Sequence, residues 1–408
     1  MLLYPRFVKP LLEQDLTLYP AVAVMGARQV GKSTLCREIA DQRGMAYRTL
    51  DDRDVRDQAL ADPEGLLDDL GQEGAVIDEV QRAPNLLLAL KSTVDREQKL
   101  GRYLLSGSNQ PKVAHALADS LLGRTGYRTL RPLTLGEQRY DEKHRGWEFL
   151  FGPDDKIVLD SLIERATTSG ELDWHEIART GGFPRALAAP PNQRLRILDD
   201  YIQTFAHRDI REVVGIESVD RFETFLRLIA TRTAQELNAS NLSSDLGTPV
   251  ATIRRWVDAL VRSYLVEVIP AYHRNAGRRV IKAPKIYMVD TALALAASRA
   301  QEPTGGFYLE TAVAGDLCVW RDEAPEQRAL HHWRVPNGPE VDFVLGQGKL
   351  LLPVEIKTSG SVDSSDAHHL RRFRTDNSNA PRAVLLSCDP YIRVLTDGII
   401  AAPWWAVI

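Results

Sequence analysis

The amino-acid sequence predicts an α/β protein that begins with a parallel sheet covered by helices on both faces. Three observations support this prediction. The apolar run 21–25 leads into a glycine-rich loop, and helical apolar spacing follows from residue 35. Apolar strands then alternate with helical segments to about residue 135, a pattern typical of parallel sheets. Near the end of the chain, residues 340–345 alternate between apolar and polar types, as in a half-buried strand.

Length and charge indicate a multidomain protein of ordinary globular type. The chain has 408 residues, which is more than one hydrophobic core usually serves. We expect four regions, at 1–135, 136–215, 216–290 and 291–408. The formal net charge of −4 excludes a uniformly basic nucleic-acid binder but leaves local basic patches open.

Cysteine usage and apolar run lengths favour the cytoplasm. Cys36, Cys318 and Cys388 are widely separated and odd in number, which argues against a disulfide framework or a zinc site. No apolar run approaches the roughly 18 residues that suggest a spanning helix. We therefore expect a cytoplasmic protein with no membrane partner.

Residues 26–34 indicate a specific chemistry by themselves. They read Gly26, Ala27, Arg28, Gln29, Val30, Gly31, Lys32, Ser33 and Thr34, which fits the phosphate-binding pattern G-x-x-x-x-G-K-S/T. Glycines let backbone N–H groups surround phosphate oxygens, and the helix that follows points its positive end at the same anion. We expect all nine residues to contact ATP, with Lys32 at the β- and γ-phosphates and Ser33 on Mg²⁺.

A second acidic signature follows at the end of the short apolar strand 74–77. Asp78 is expected to bind the Mg²⁺ ion, and Glu79 to orient or deprotonate the attacking water. The next strand ends in Ser108 and Asn109, which would lie beside this pair. These two side chains are expected either to contact the γ-phosphate or water, or to cap the following helix.

Arg124 precedes a fifth predicted strand. Such an arginine can act as a finger on the γ-phosphate, within its own subunit or from a neighbouring one. An ordinary surface arginine is the alternative. The segment from 135 to about 215 then becomes helical, with a loop signal at 181–184.

Several motifs in fixed order resemble a prokaryotic family of AAA-type ATPases of largely unassigned function. They are GARQVGKST, VIDEVQ, LLSGSN, LLGR followed by PLTLGEQ, GGFPRAL, and the helix around 206–210. The resemblance covers nearly the whole chain. It implies the additional-strand sheet order of AAA proteins, followed by a DNA-binding-like helical part and a nuclease-like end.

Residues 222–289 predict three helices followed by two strands around a basic hairpin. This is the order of a winged helix, in which the third helix enters a major groove and the wing meets phosphates. The expected contacts to double-stranded DNA are Arg254, Arg255, Arg274, Arg278 and Arg279. A protein-binding module beside the ATPase domain is the alternative.

The last hundred residues predict an αβββαβ order with a metal site. Asp342 and Glu355 lie on neighbouring strands, Lys357 shares a strand face with Glu355, and Glu310 lies on a preceding helix. Oxygen ligands of this kind suit Mg²⁺, with Asp342 and Glu355 as the metal ligands, while Lys357 would activate water or stabilise the phosphate. The four residues resemble the catalytic set of the restriction-endonuclease-like superfamily of PD-(D/E)xK type.

Together, these patterns predict an AAA-type P-loop sheet, a helical linker, a winged-helix module and an α/β restriction-endonuclease-like C-terminal domain. The leading functional hypothesis is an ATP-dependent protein that acts on DNA. A nucleotide-switched binding protein or scaffold with a silent nuclease-like fold is the first alternative. An ATPase that acts on proteins is the second, and self-association is compatible with all three.

Overall fold

A computed structural model describes residues 4–71, 73–108, 123–141, 147–209, 219–273, 283–336, 338–396 and 398–408. Four residues with predicted roles lie outside these ranges: Asn109, Arg274, Arg278 and Arg279.

Five strands of the described chain form a parallel sheet in the N-terminal part. They are β1 Ala21–Met25, β2 Ala46–Thr49, β3 Ala75–Asp78, β4 Tyr103–Gly107 and β5 Thr125–Thr129. Their order is β2-β3-β4-β1-β5, so β4 lies between the strand before the phosphate-binding loop and the strand that ends at Asp78. This is the additional-strand order that the sequence resemblance implied.

Helices cover both faces of this sheet. They are α1 Lys9–Leu18, α2 Lys32–Arg43, α3 Arg53–Ala61, α4 Pro63–Asp68 and α5 Leu86–Glu97. Val22 and Val24 belong to one apolar cluster together with Leu35 of α2. Ala21 and Ala23 belong to a second cluster, with Leu86 of α5, because alternate residues of a strand point to opposite faces. Burial on both faces explains why the central strands β1, β3 and β4 are largely apolar.

The middle of the described chain is helical, as predicted. Its elements are α6 Leu135–Gln138, a 3₁₀ turn at Glu148–Phe151, α7 Asp155–Ser169, α8 Trp174–Thr180, α9 Pro184–Leu187 and α10 Pro191–Thr204, continued by a π-helix at Phe205–Asp209.

Three helices and a small antiparallel sheet follow at the places where a winged helix is predicted. They are α11 Val219–Thr231, β6 Gln235–Glu236, α12 Ala239–Leu246, α13 Val250–Arg262, β7 Val266–Ile269 and β8 Lys285–Met288, then the buried helix α14 Thr291–Ser298. The sheet order is β6-β8-β7. The tip between β7 and β8 lies outside the described residues, so the winged-helix assignment stays a prediction.

A mixed sheet organises the C-terminal part. Its elements are α15 Phe307–Glu323, β9 Arg328–Arg334, β10 Glu340–Gln347, β11 Leu350–Ile356, α16 His368–Asp376, β12 Ala383–Ser387, β13 Arg393–Thr396 and β14 Ile399–Pro403, with a final 3₁₀ turn at Trp404–Ala406. The predicted αβββαβ order is present as far as β12. Strands β9, β10 and β11 are antiparallel, whereas β11, β12 and β14 are parallel.

Two kinds of contact join these parts into one body. A single apolar cluster contains Val22 of the first sheet, Trp147 of the helical region and Trp404 near the C-terminus. Half-buried charges join the first sheet to β7 and α15, because Arg131 and Arg321 each pair with both Glu267 and Asp322. Every helix in the described ranges is too short or too polar to span a membrane.

Candidate nucleotide site and C-terminal carboxylate cluster

The phosphate-binding loop, residues 26–34, connects β1 directly to α2. Gly31 caps α2 with a φ of 100°, in the left-handed region that glycine adopts without strain. A Cβ atom on Gly26 would lie 2.2 Å from the carbonyl oxygen of Leu130. Both glycines are therefore required by the backbone, and the positive end of α2 points at the loop.

Lys32 is the buried cation of the loop. Its Nζ donates to the carbonyl oxygens of Gly26, at 3.0 Å, and Ala27, at 2.7 Å. Burial lowers the pKa of Lys32 to about 8, against the opposing charges of Glu79 and Asp78. Ser33 and Thr34 follow half-buried in the first turn of α2, whereas Gln29 is exposed on the outer side of the loop.

Asp78 is held by three donors at the end of β3. Its Oδ2 accepts a hydrogen bond of 2.6 Å from the Tyr47 hydroxyl. Its Oδ1 accepts from the Ser106 hydroxyl and from the backbone N–H of Glu79, the latter at 3.1 Å. Ser33 and Asp78 supply the hydroxyl and carboxylate oxygens that Mg²⁺ prefers, so the residues present fit a magnesium ion beside the loop.

Glu79 has a strained backbone at the predicted water-activating position. Its φ is 58°, in the left-handed region that residues other than glycine adopt uncommonly. The side-chain amide of Gln81 donates to Glu79 Oε2 and, at 3.0 Å, to the Ser108 hydroxyl. Gln81 thus connects Glu79 to the strand tip that was predicted to contact phosphate or water.

Sequence reasoning missed Ser106 and Gln81. Ser106 is fully buried within an otherwise apolar strand, and a polar residue in such a strand is a usable signal. Predicted contacts at the same tip were Ser108, which accepts from Gln81, and Asn109, which lies outside the described residues.

Arg124 lies at the amino ends of the strands, whereas the phosphate-binding loop lies at their carboxyl ends. The N–H of Ala21, at the start of β1, donates to the Arg124 carbonyl, so Arg124 is at the amino end of β5. Five residues of parallel strand separate it from the loop by about 16 Å. Its side chain pairs with Asp95. Arg124 therefore does not face the nucleotide site of its own chain, and this position fits either a finger on a neighbouring subunit's nucleotide or an ordinary surface arginine.

Arg6 ties the loop to the following region and was not singled out from the sequence. Its Nη1 donates to the Val30 carbonyl at 2.7 Å and its Nη2 to the Arg131 carbonyl at 2.5 Å. Its Nε donates to Glu137 at 3.2 Å. The signal in the sequence was an arginine within the largely apolar segment 1–8, and the fold leaves this arginine only 9% exposed.

The loop 181–184, which belongs to the helical region, packs against the phosphate-binding loop. A Cβ atom on Gly31 would lie 4.0 Å from Pro184 Cγ. Gly182 accepts from the Leu133 N–H at 2.8 Å, and its own N–H donates to Asp290 Oδ2 at 2.5 Å. Asp290 lies two residues after β8, so the phosphate-binding loop is connected to this strand.

The predicted DNA-contacting residues of α13 are on its solvent side. Arg254 and Arg255 are exposed, while Ile253, Trp256 and Val257 are buried. The remaining three, Arg274, Arg278 and Arg279, lie outside the described residues.

The C-terminal residues predicted from the sequence come together at one end of the mixed sheet. Phe343 pairs with Val354, which sets Asp342 level with Glu355 on the adjacent strand. Asp342 Oδ2 accepts from the Ile356 N–H at 2.9 Å, and Lys357 Nζ lies 2.8 Å from Glu355 Oε1. Burial raises the pKa of Glu355 to about 7, while Lys357 opposes this shift.

Lys285 of β8 was missed, and it changes this site. Its Nζ lies 3.0 Å from Glu310, 2.8 Å from Glu340 and 3.1 Å from Asp342. We call Glu310, Glu340 and Asp342 the carboxylate cluster. Within the described ranges, no group of three or more His, Cys, Asp or Glu side chains is arranged to hold a metal ion. A lysine at the start of an apolar strand was the available signal.

The N-terminal fold and loop define an AAA-type domain, and the comparison with family models agrees. Residues 18–138 match the model described as an AAA domain. Two further matches carry no functional description: residues 171–304 match a domain of unknown function, DUF8612, and residues 305–407 match another, DUF4143.

Two mycobacterial proteins are similar along the whole chain. They are the uncharacterized protein Mb2031c of Mycobacterium bovis and the uncharacterized protein Rv2008c of Mycobacterium tuberculosis. Each is 26% identical over 415 residues, which cover 99% of this chain and 84% of the relative. Among solved structures, the Walker-type ATPase PABY2304 of Pyrococcus abyssi is similar with a TM-score of 0.39 and 17% identity, over 71% of this chain and 94% of that one.

Proposed function

We propose that this protein binds and hydrolyses ATP and that its nucleotide state controls an action on DNA. The observation that supports ATP binding and hydrolysis is that Lys32, Asp78 and Glu79 all lie at the carboxyl ends of the strands in the AAA-type sheet. Asp78 accepts from Ser106 of β4, and Ser106 pairs with Val24 of β1 just before the loop, so Asp78 and the phosphate-binding loop lie at neighbouring strand ends.

Each residue has a distinct task in this proposal. Backbone N–H groups of residues 26–34 and the Lys32 ammonium bind the phosphates. Ser33 and Asp78 hold Mg²⁺, which neutralises charge that develops on the phosphate oxygens. Glu79 orients or deprotonates the attacking water, and Gln81 positions Glu79.

Phosphate release by the purified protein tests this proposal. Glu79→Gln is expected to lower turnover by about 100-fold or more while ATP still binds, because general-base catalysis contributes at least this much. Lys32→Ala is expected to weaken ATP binding by roughly 10- to 100-fold through loss of a charge-assisted bond. Unchanged turnover in Glu79→Gln would rule out Glu79 as the residue that activates water.

Two contact routes support transmission from the nucleotide site to the other regions. In one, Arg6 joins Val30 of the loop to Arg131, whose side chain binds Asp322 of α15 at 2.8 Å. In the other, the loop at 181–184 joins the phosphate-binding loop to Asp290 after β8. The proposed division of labour follows the predicted regions, with ATP at 1–135, a linker at 136–215, DNA contact at 216–290 and metal-dependent chemistry at 291–408.

The proposed DNA contacts are Arg254, Arg255, Arg274, Arg278 and Arg279. Exposure of the first two on α13 supports this assignment. The logarithm of the DNA-binding constant falls linearly with the logarithm of the salt concentration. Each phosphate contact that is lost makes this slope shallower by about one. Arg254→Ala with Arg255→Ala should therefore weaken duplex binding and lower the slope by about two, whereas the exposed Arg372→Ala should leave both unchanged.

Cleavage of DNA is the finer part of the proposal. Asp342 and Glu355 would hold Mg²⁺ with help from Glu310, and Lys357 would activate water or stabilise the phosphate. Plasmid, linear and single-stranded DNA, each with and without Mg²⁺ and ATP, give the test. Cleavage that Lys357→Ala abolishes supports this assignment, and absence of any DNA binding at low salt contradicts the action on DNA and favours a protein substrate.

A second candidate function is a nucleotide-switched binding protein with a silent nuclease-like fold. The observation that favours it is the Lys285 ammonium among the carboxylates that would bind metal. DNA binding without cleavage under every metal condition would support this function.

Self-association would allow Arg124 to act on ATP that is bound to a neighbouring copy of the chain. Arg124 of one copy would reach the nucleotide of a neighbour, as fingers do in other ATPases. We expect turnover per chain to rise with protein concentration and Arg124→Ala to remove this rise. A concentration-independent turnover would exclude the route.

A further inference from the structure

Lys285 enters the C-terminal part from a different element. It begins β8, whose backbone pairs with β6 and β7 in the small antiparallel sheet. Lys285 and Tyr287 lie on the same strand face, and both contact Glu310 Oε1, at 3.0 Å and 2.6 Å. Only 3% of Lys285 is exposed, so its ammonium is removed from solvent as well as paired.

The ammonium uses all of its hydrogen-bonding capacity within the carboxylate cluster. A lysine has three N–H donors and no acceptor. Three carboxylate oxygens lie within 3.1 Å of Nζ: Glu310 Oε1, Glu340 Oε1 and Asp342 Oδ1. This arrangement satisfies the cation completely and holds three negative charges around one point.

A divalent cation would require the same oxygens. Mg²⁺ and Mn²⁺ bind carboxylate oxygens at about 2.1 Å. A metal ion held this closely by the oxygens around the Lys285 ammonium would leave no room for the ammonium. Asp342 Oδ1 accepts from the ammonium and Oδ2 accepts from the Ile356 N–H, so a metal ion bound to this carboxylate would lie within a few ångströms of a second positive charge. Lys285 and a metal ion therefore compete for one position.

Glu355 provides an independent indication that this place is built for a cation. It is 4% exposed, and its Oε2 has no hydrogen-bond partner among the described residues. Its Oε1 pairs with Lys357. A buried carboxylate oxygen without a donor is costly unless a cation reaches it.

We propose that the Lys285 ammonium is the resident cation of the carboxylate cluster and that it and a divalent metal ion exclude one another. Glu340, which the sequence pattern did not indicate, then belongs to the carboxylates that the ammonium keeps from a metal ion. The inference bears on the proposed C-terminal chemistry, because cleavage would require Lys285 to withdraw. The competition itself needs neither ATP nor DNA, so it is measured without either.

Mn²⁺ binding to the full-length, nucleotide-free protein tests the proposal. Bound Mn²⁺ is counted by electron paramagnetic resonance of the free ion for wild type, Lys285→Met, Lys285→Arg and the double variant Lys285→Met with Asp342→Asn. Lys285→Met is expected to bind about one more Mn²⁺ per chain than wild type, whereas Lys285→Arg and the double variant bind no more than wild type.

Circular dichroism establishes that each variant is folded. If Lys285→Met does not fold because of repulsion among the carboxylates, Lys285→Gln with Glu310→Gln removes one of the charges and still predicts the additional ion. The proposal is overturned if the number of Mn²⁺ ions bound per chain is the same in wild type as in folded Lys285→Met or in folded Lys285→Gln with Glu310→Gln. An additional ion that persists when Asp342 is replaced also overturns it. ATP turnover and DNA binding are not part of the readout, so failure here leaves the proposed function standing.

Discussion

The hydroxyl groups of Tyr47 and Ser106 orient the Asp78 carboxylate, the residue best placed to hold Mg²⁺ beside the phosphate-binding loop. They come from strands on the two sides of β3, since β2 and β4 both pair with it. If Asp78 holds Mg²⁺ as proposed, its fixed geometry is expected to stabilise the transition state of hydrolysis more than the binding of substrate.

Ser106→Ala is expected to lower ATP turnover by roughly 10- to 100-fold, with ATP affinity changed much less. The buried Asp78 oxygen loses a donor, which costs about 1–3 kcal/mol. Steady-state kinetics and equilibrium nucleotide binding give the two values. Tyr47→Phe is the matched variant, with a smaller effect because Tyr47 is half-buried. An equal loss of affinity and turnover would show that Ser106 acts on binding instead.

At the scale of elements, the junction of β1, the loop and β5 depends on close backbone approach. Leu130, directly after β5, donates to the Met25 carbonyl at 2.7 Å, and its own carbonyl faces Gly26. These two contacts fix Gly26 relative to β5, so α2 begins at a fixed point relative to the sheet.

Gly26→Ala is expected to destabilise the fold by more than Gly44→Ala. Gly44 has a φ of 66° but no atom within 4 Å of a built Cβ, so alanine there carries only the backbone cost of about 1–2 kcal/mol. Gly26 adds a clash with the Leu130 carbonyl at 2.2 Å. Urea unfolding measures both free energies, and equal values would mean that the loop relaxes freely.

At the scale of the whole molecule, Arg131 joins the ATPase region to two others. Its side chain binds Glu267 of β7 at 3.0 Å and Asp322 of α15 at 2.8 Å. Arg321 completes the network through the same two carboxylates, at 2.9 Å and 2.8 Å. Removal of one arginine would leave two half-buried carboxylates with one cation between them.

Arg131→Met is expected to lower the free energy of unfolding by about 2 kcal/mol, since it leaves two half-buried carboxylates short of a partner. Arg372→Met is the matched control. Arg372 pairs with Asp376 at the surface of α16, with side chains 62% and 40% exposed, so its loss should cost less than about 1 kcal/mol. Chemical denaturation compares the two, and similar costs would contradict a stabilising role for the network.

The same network predicts a dependence of stability on acid. Burial acts to raise the pKa of Glu267, but Arg131 and Arg321 outweigh it and hold the pKa below the ordinary value. A carboxyl group with a lowered pKa stabilises the fold above its ordinary pKa and loses this effect as the pH falls. Between pH 6 and 3, wild type should therefore lose more stability than Glu267→Gln. Parallel unfolding curves for the two proteins across this range would contradict the prediction.

Local patterns were sufficient wherever the chemistry lies in consecutive residues. The nine residues of the phosphate-binding loop and the pair Asp78 and Glu79 each follow a strand directly. A strand, a turn and a helix place such residues without help from the rest of the chain. The α/β fold class and the parallel N-terminal sheet were predictable for the same reason.

Residues that meet across long sequence separations were beyond such reasoning. Ser106 reaches Asp78 across 28 positions, and Arg6 reaches Glu137 across 131. Whether Arg124 could reach the nucleotide of its own chain depended on the end of β5 at which it lies. The parallel pairing of β1 with β5 places Arg124 at the end away from the loop.

The sequence by itself determined that the chain carries an AAA-type phosphate-binding loop and a cluster of acidic residues near its end. Only the tertiary structure decided which cation those acidic residues hold. Lys285 belongs to a strand of another region and lies 57 positions before Asp342. Its ammonium reaches the carboxylates because β8 packs against the C-terminal part, and no local pattern encodes that contact.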